Sequence, residues 1–268
     1  MNKNKKKLIL QIANILTPIL VFIVISLLSF FQADFAQPFT SEATESLIDP
    51  IGFAFAIWGP IFFFLAIFYF YQARDIFKSA ENKIDMPYVH QVSVFFILSV
   101  IMPTLWYIFW AYQIIWLSTL FMILYLISLL MAYLRLNINL VERPKVEKIA
   151  IVVPWSMHTA WVTAATIISI KTFLMSINFN NPPLLFSDTY WAVIVLLITL
   201  GIYSAVLLTR KDYIYAGVGI WVLFGILIKR LTTSPLAIEV VIISIIGIIV
   251  LVIAILYQFY RTKNITKD

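Results

Sequence analysis

The sequence predicts an all-α polytopic integral membrane protein of eight spans with both termini in the cytoplasm. Three observations carry this. Of its 268 residues, 62% are hydrophobic and 12% charged, and a mean hydropathy of +0.97 lies far above that of a soluble domain. Eight apolar runs approach the roughly 20 residues that cross a ~30 Å hydrocarbon core as a helix. Lys and Arg are abundant in alternate connecting segments, as the positive-inside rule requires.

The expected spans are 8–30, 51–72, 91–112, 114–135, 150–171, 190–209, 213–229 and 236–259. The first follows Lys3, Lys5, Lys6 and Lys7, as in a signal peptide. It is longer than an ordinary signal h-region, and F-Q-A-D-F-A-Q puts Asp34 where cleavage wants a small residue, so a span is expected. The outer segment 31–50 carries Asp34, Glu42, Glu45 and Asp49 and no basic residue. Its stretch S-E-A-T-E-S-L-I has helix-forming composition with Ser41 as N-cap, which predicts a short surface helix. Asp49 is expected to cap the second span, with Pro50 at its first position. Pro60 cannot donate to the Ala56 carbonyl, so a kink is expected there.

Only a few residues around Ala111 to Gln113 separate the third and fourth spans, which forces an antiparallel hairpin. The fifth ends at Lys171, and N-F-N-N-P-P breaks the outer loop 172–189 that follows. The seventh is the shortest: 213–228 gives ~24 Å of helix, so Lys229 and Arg230 must snorkel outward. Sixteen of the nineteen Lys and Arg fall on one side of this arrangement, leaving Lys171, Lys229 and Arg230 on the other. Such a split places both termini inside and explains the net charge of +6 without nucleic acid as a partner.

Few residues inside the spans can do chemistry. With no cysteine, thiol nucleophiles and thiolate metal sites are excluded. No string of buried acids or bases stands ready for ion pumping or voltage sensing, and an enzymatic reading has little residue support. Of the two histidines, His158 lies at depth, either as a ligand-contacting group or as a packing residue bonded to a neighbouring carbonyl or hydroxyl. His90 begins the third span, so the pair lies at different depths and does not suit a bis-histidine haem.

Tryptophan is used selectively. Trp116 and Trp191 fit an interfacial aromatic belt. Trp58, Trp106 and Trp161 fall below it, ~9 to 15 Å from the outer surface on three different helices. Ser99, Pro103, Trp106 and Trp110 share one face of the third span, and His158, Trp161 and Ala165 one face of the fifth, with Thr159 and Thr166 alongside. These rings either line an apolar cavity or pack helices together.

These motifs resemble the tryptophan-rich sensory proteins of the translocator protein family, TspO/MBR. P-I-G-F-A-F-A-I-W-G-P-I-F at 50–62 resembles the family's second-helix signature, L-W-Y-I-F-W at 105–110 its third and W-V-T-A-A-T at 161–166 its fifth. G-I-W-V-L-F-G-I-L-I-K near 219 is similar to longer relatives. The resemblance implies a five-helix bundle over 1–175 and a three-helix extension over 176–268. Three positions depart from the family pattern: Phe62 stands for a tyrosine, and Pro103 and Ser169 for asparagines.

The implied function is a multi-pass cell-membrane receptor or sensor for a planar hydrophobic molecule, a tetrapyrrole or sterol-like compound, with no cofactor certain. Its implied binding residues are Phe55, Trp58, Phe62, Trp106, Trp110, His158, Trp161 and Thr166, beneath a lid formed by 31–50. Transport of a hydrophobic solute, with hinges at Pro60 and Pro103, and a purely structural role stay open beside it. Besides membrane lipid, a second copy in a homodimer is an open partner.

Overall fold

A computed structural model describes residues 3–31, 46–177, 179 and 187–265. Most of the expected lid and of its surface helix, and most of the N-F-N-N-P-P break, lie outside these residues. Among the described residues the fold is all helix, and eight helices are long and apolar enough to cross a membrane. They contain α1 (Lys3–Phe31), α2 (Trp58–Ala73, which spans together with the 3-10 helix Gly52–Ile57 ahead of it), α3 (Pro87–Ala111), α4 (Ile115–Arg135), α5 (Val153–Ser176), α6 (Asp188–Arg210), α7 (Tyr213–Thr232) and α8 (Ile238–Ile265). All eight expected spans are therefore present, the seventh included.

Two compact units divide the chain: Met1–Phe39 with Pro60–Thr159, and Thr40–Gly59 with Ala160–Asp268. This division differs from the sequence segments 1–175 and 176–268, because the residues leading into α2 pack with the C-terminal helices.

In the first unit, α3 and α4 form the expected hairpin. Its tight turn runs through Gln113 at φ 58°, and the Ile114 N–H donates to Phe109 O at 2.8 Å. Across it Phe109 stacks on Phe121, ring centres 5.3 Å apart. The backbone of α3 breaks at Ser93 (φ 47°, ψ −136°), ten residues before the expected hinge at Pro103. The core is aromatic: Phe68, Phe96, Tyr88 and Trp155 are all essentially inaccessible.

A polar cluster sits in this unit that the sequence did not suggest. Lys7 Nζ meets Asp75 Oδ2 at 2.6 Å with both side chains buried, and also donates to Ile84 O at 2.7 Å. Gln11 donates to the Asp75 carboxylate at 2.8 Å, and Asn14 to Gln72 Oε1 at 2.9 Å. Burial alone would raise the Asp75 carboxyl. Hydrogen bonds from Lys7, Gln11 and the Ile84 N–H, with the Lys7 charge, outweigh it and hold the group below the usual carboxylate range.

In the second unit, small residues let helices approach. A Cβ on Gly219 would sit 2.6 Å from the Tyr203 ring, and one on Gly247 2.8 Å from Leu223. Tyr203 donates its hydroxyl to Ala160 O at 2.8 Å, and the Thr163 and Tyr215 hydroxyls bond at 2.6 Å. Both groups thus meet the requirement that buried polar atoms find partners. Asp212 caps α7 by accepting from the Tyr215 N–H at 3.0 Å.

Candidate functional site

The signature stretch around residue 50 does not begin as an α-helix. The Asp49 carboxylate accepts from the Ser46 N–H at 2.7 Å, closing a turn instead of capping the span. Ile51 is extended, and Gly52–Ile57 winds as a 3-10 helix before the α-helix starts at Trp58. Pro60 then lies in the first turn of α2, where a missing N–H costs nothing, so the expected kink at Pro60 is replaced by a change of helix type ahead of Trp58.

This 3-10 segment is pinned to α7. The Ile51 N–H donates to Gly225 O at 3.0 Å, and Trp221 Nε1–H to Ala54 O at 2.8 Å. A Cβ on Gly225 would fall 2.8 Å from Ala54 Cβ and 3.0 Å from Pro50 Cβ. Only glycine lets the two backbones come this close. Phe53 completes the seam, edge-on to Trp221 with ring centres 5.5 Å apart.

The pinned segment presents its other aromatics to Trp161. Phe55 meets the Trp161 indole edge-on at 5.6 Å and 87°, and Trp58 meets it at 6.3 Å and 84°. T-shaped geometry suits the ring quadrupoles, so the three side chains support one another. Trp161 is 2% exposed and Phe55 43%; the cluster therefore has a fixed floor and an accessible edge. Gly52 and Gly59, flanking it, have open space where a side chain would stand.

The other expected residues are distributed differently. Thr166, in the same unit, donates its hydroxyl to Val162 O at 2.7 Å within its own helix. Trp106 and Trp110, in the first unit, lie with ring centres 6.5 Å apart, and Trp106 O accepts from the Ser118 hydroxyl at 3.1 Å. His158 is buried in the first unit, its Nε2 in a short hydrogen bond with the Tyr125 hydroxyl. Phe62 is 61% exposed. The structure thus joins Phe55, Trp58 and Trp161 in one cluster and Trp106 with Trp110 in another.

Two indoles escaped the sequence reading. Trp221 holds the 3-10 segment; its only signal was the G-I-W-V-L-F-G motif. Trp155 is buried between Phe68 and Phe96, with ring centres 5.7 and 6.1 Å away. Its Nε1–H has no acceptor among the described residues. Its position three residues before His158 was the available clue.

A cavity of about 90 Å³ in the second unit is lined by Ile48, Lys171, Leu174, Phe179, Trp191, Ala192 and Val195, with Lys171 3.5 Å from Asp188. It is well below the ~300–1,000 Å³ of ordinary ligand pockets. Among the described residues no group of three or more His, Asp or Glu could hold a metal ion.

The chain matches the sequence model of a family described as TSPO-like protein over residues 11–257. No curated protein and no solved structure matches it.

Proposed function

We propose that this chain, which belongs to the TSPO-like protein family, is a membrane receptor or sensor that takes a planar apolar ligand, a tetrapyrrole or sterol-like molecule, against Phe55, Trp58 and Trp161. That it is a multi-pass membrane protein is given by its eight apolar helices and its family; the cell membrane is its proposed location, with both termini cytoplasmic. The observation that carries the reading is the edge-to-face contact of Phe55 and Trp58 on a buried Trp161. A rigid aromatic floor with an accessible ring is suited to a flat molecule, because the ring faces are held before the ligand arrives and little conformational freedom is lost on binding.

The segments 1–175 and 176–268 take complementary roles in this proposal. The first supplies the signature aromatics, and the second, through Trp221 and Gly225, holds the 3-10 segment in place. Thr166, on the helix that carries Trp161, is proposed as a further contact. His158, already bonded to Tyr125, serves better as a polar anchor of the helix than as an axial ligand, so a tetrapyrrole would be recognised by its faces and not by its metal.

Tryptophan quenching by protoporphyrin IX, with the purified protein in detergent, tests the reading. Edge-to-face ring pairs contribute about 0.5–1.5 kcal/mol, so Trp58→Leu and Trp161→Leu should each weaken binding about two- to tenfold. Trp116→Leu, at a 56% exposed ring, should leave affinity unchanged. Equal affinity in all four proteins would refute the assignment.

A further inference from the structure

We propose that the first unit carries a separate anion site, a cavity that binds the phosphate of an anionic phosphate ester. The cavity is a shallow depression, open to solvent, of about 440 Å³ and is lined by Lys3, Lys6, Pro87 and His90. None of these residues belongs to the aromatic cluster, and the proposal does not rest on the function assigned to it.

Its chemistry is one-sided. Lys3 has a carboxylate partner in Asp85 at 3.1 Å, but both side chains are largely exposed and the pair is weakly held. Lys7, one residue beyond Lys6, is committed to buried Asp75. Among the described residues Lys6 has no carboxylate partner, and the His90 Nε2 has no hydrogen-bond partner. Among the described residues the cavity is therefore lined by an ammonium without a counter-charge and by an imidazole whose Nε2 has no hydrogen-bond partner. A phosphate supplies several acceptor oxygens, and Lys is well suited to it as a point charge. The start of α3, with Pro87 at its first turn and no side-chain cap on Met86, adds partial positive charge from the helix dipole.

The location selects among anions. Lys3 and Pro87 begin the first and third candidate spans. Odd-numbered spans run in the same direction, so both ends lie at the same membrane surface, at headgroup level. A phosphodiester headgroup meets the cavity there with its acyl chains along the helices; a soluble phosphate ester meets the same atoms from water.

The full-length protein in detergent, stripped of lipid and offered equal phosphatidylglycerol and phosphatidylcholine, should retain phosphatidylglycerol preferentially in native mass spectrometry. Lys6→Gln and His90→Asn should each reduce that retention about tenfold, as expected for losing a hydrogen bond to a charged group. Lys5→Gln and Lys78→Gln, outside the cavity, should leave it unchanged. A parallel arm follows inorganic phosphate by phosphorus NMR line broadening. Phosphate binding that Lys6→Gln abolishes, without phosphatidylglycerol preference, would identify a soluble ester as the ligand. Absence of both, or an equal loss in Lys5→Gln and Lys6→Gln, would overturn the proposal.

Discussion

Gly225→Ala and Gly217→Ala place the same methyl on the same helix, α7, and should change stability in opposite directions. At Gly217 the added Cβ meets nothing within 4 Å, so the variant should gain the helix propensity of alanine over glycine, about 1 kcal/mol. At Gly225 it lands 2.8 Å from Ala54 Cβ and 3.0 Å from Pro50 Cβ. Carbon atoms settle at ~3.5–4.0 Å, so both contacts are short by roughly 0.5–1.2 Å. Overpacking of this kind costs about 1–3 kcal/mol. Against the same propensity gain, Gly225→Ala should come out about 0–2 kcal/mol less stable than wild type, and roughly 1–3 kcal/mol below Gly217→Ala. The assay is thermal unfolding in one detergent at one scan rate, because membrane proteins often unfold irreversibly and scan rate then moves the midpoint. Each kcal/mol corresponds to about 2–4 °C in a chain of this size. If Gly225→Ala melts at or above Gly217→Ala, the close approach of the 3-10 segment to α7 is wrong, and the positioning of Phe55 and Trp58 falls with it.

Asp75→Asn should cost about 3–5 kcal/mol, because it leaves the buried Lys7 ammonium without its counter-charge; Lys7→Met with Asp75→Leu should recover most of that loss in the same melting assay. The Asp75 carboxyl is held below its unfolded value of ~3.9, so its contribution is complete above that pH and is lost as pH falls through the folded value. Melting temperatures should thus show a decline below about pH 4 from this group that Asp75→Asn lacks. Tyr125→Phe should cost about 1–3 kcal/mol by denaturant titration, since it removes the hydroxyl bonded to buried His158. Trp221→Phe, which loses the bond to Ala54 O, should cost about 1 kcal/mol and weaken protoporphyrin IX quenching, whereas an unchanged affinity would detach α7 from the binding site.

The spans were legible because length and hydropathy suffice to define them: every expected run appears as a helix, and the turn at Tyr112 to Ile114 follows from the shortness of its connection. Local backbone type was not legible. Pro60 reads as a helix breaker only if the α-helix has already begun; with the start at Trp58 the same residue is an ordinary first-turn proline. What precedes it is 3-10 because Ile51 and Ala54 are bonded to α7, a contact across more than 160 residues that composition does not encode. The Lys7–Asp75 pair was hidden for the same reason. Each side chain looked like an interfacial charge, and only packing across 68 positions buries them together. Conversely, Trp58 and Trp161 were recognisable by depth and spacing, and they do meet, whereas Trp106, equally deep by that count, pairs with Trp110 on its own helix.

Photo-cross-linking most directly tests whether Phe55, Trp58 and Trp161 form the ligand site. A diazirine-bearing porphyrin is bound to the full chain in detergent, irradiated, and its adducts mapped by peptide mass spectrometry. Binding at this cluster should place adducts in the peptides spanning 50–61 and 158–166, competed by unlabelled protoporphyrin IX and lost in Trp58→Leu. Competable adducts confined to other peptides, with none at these two, would contradict it.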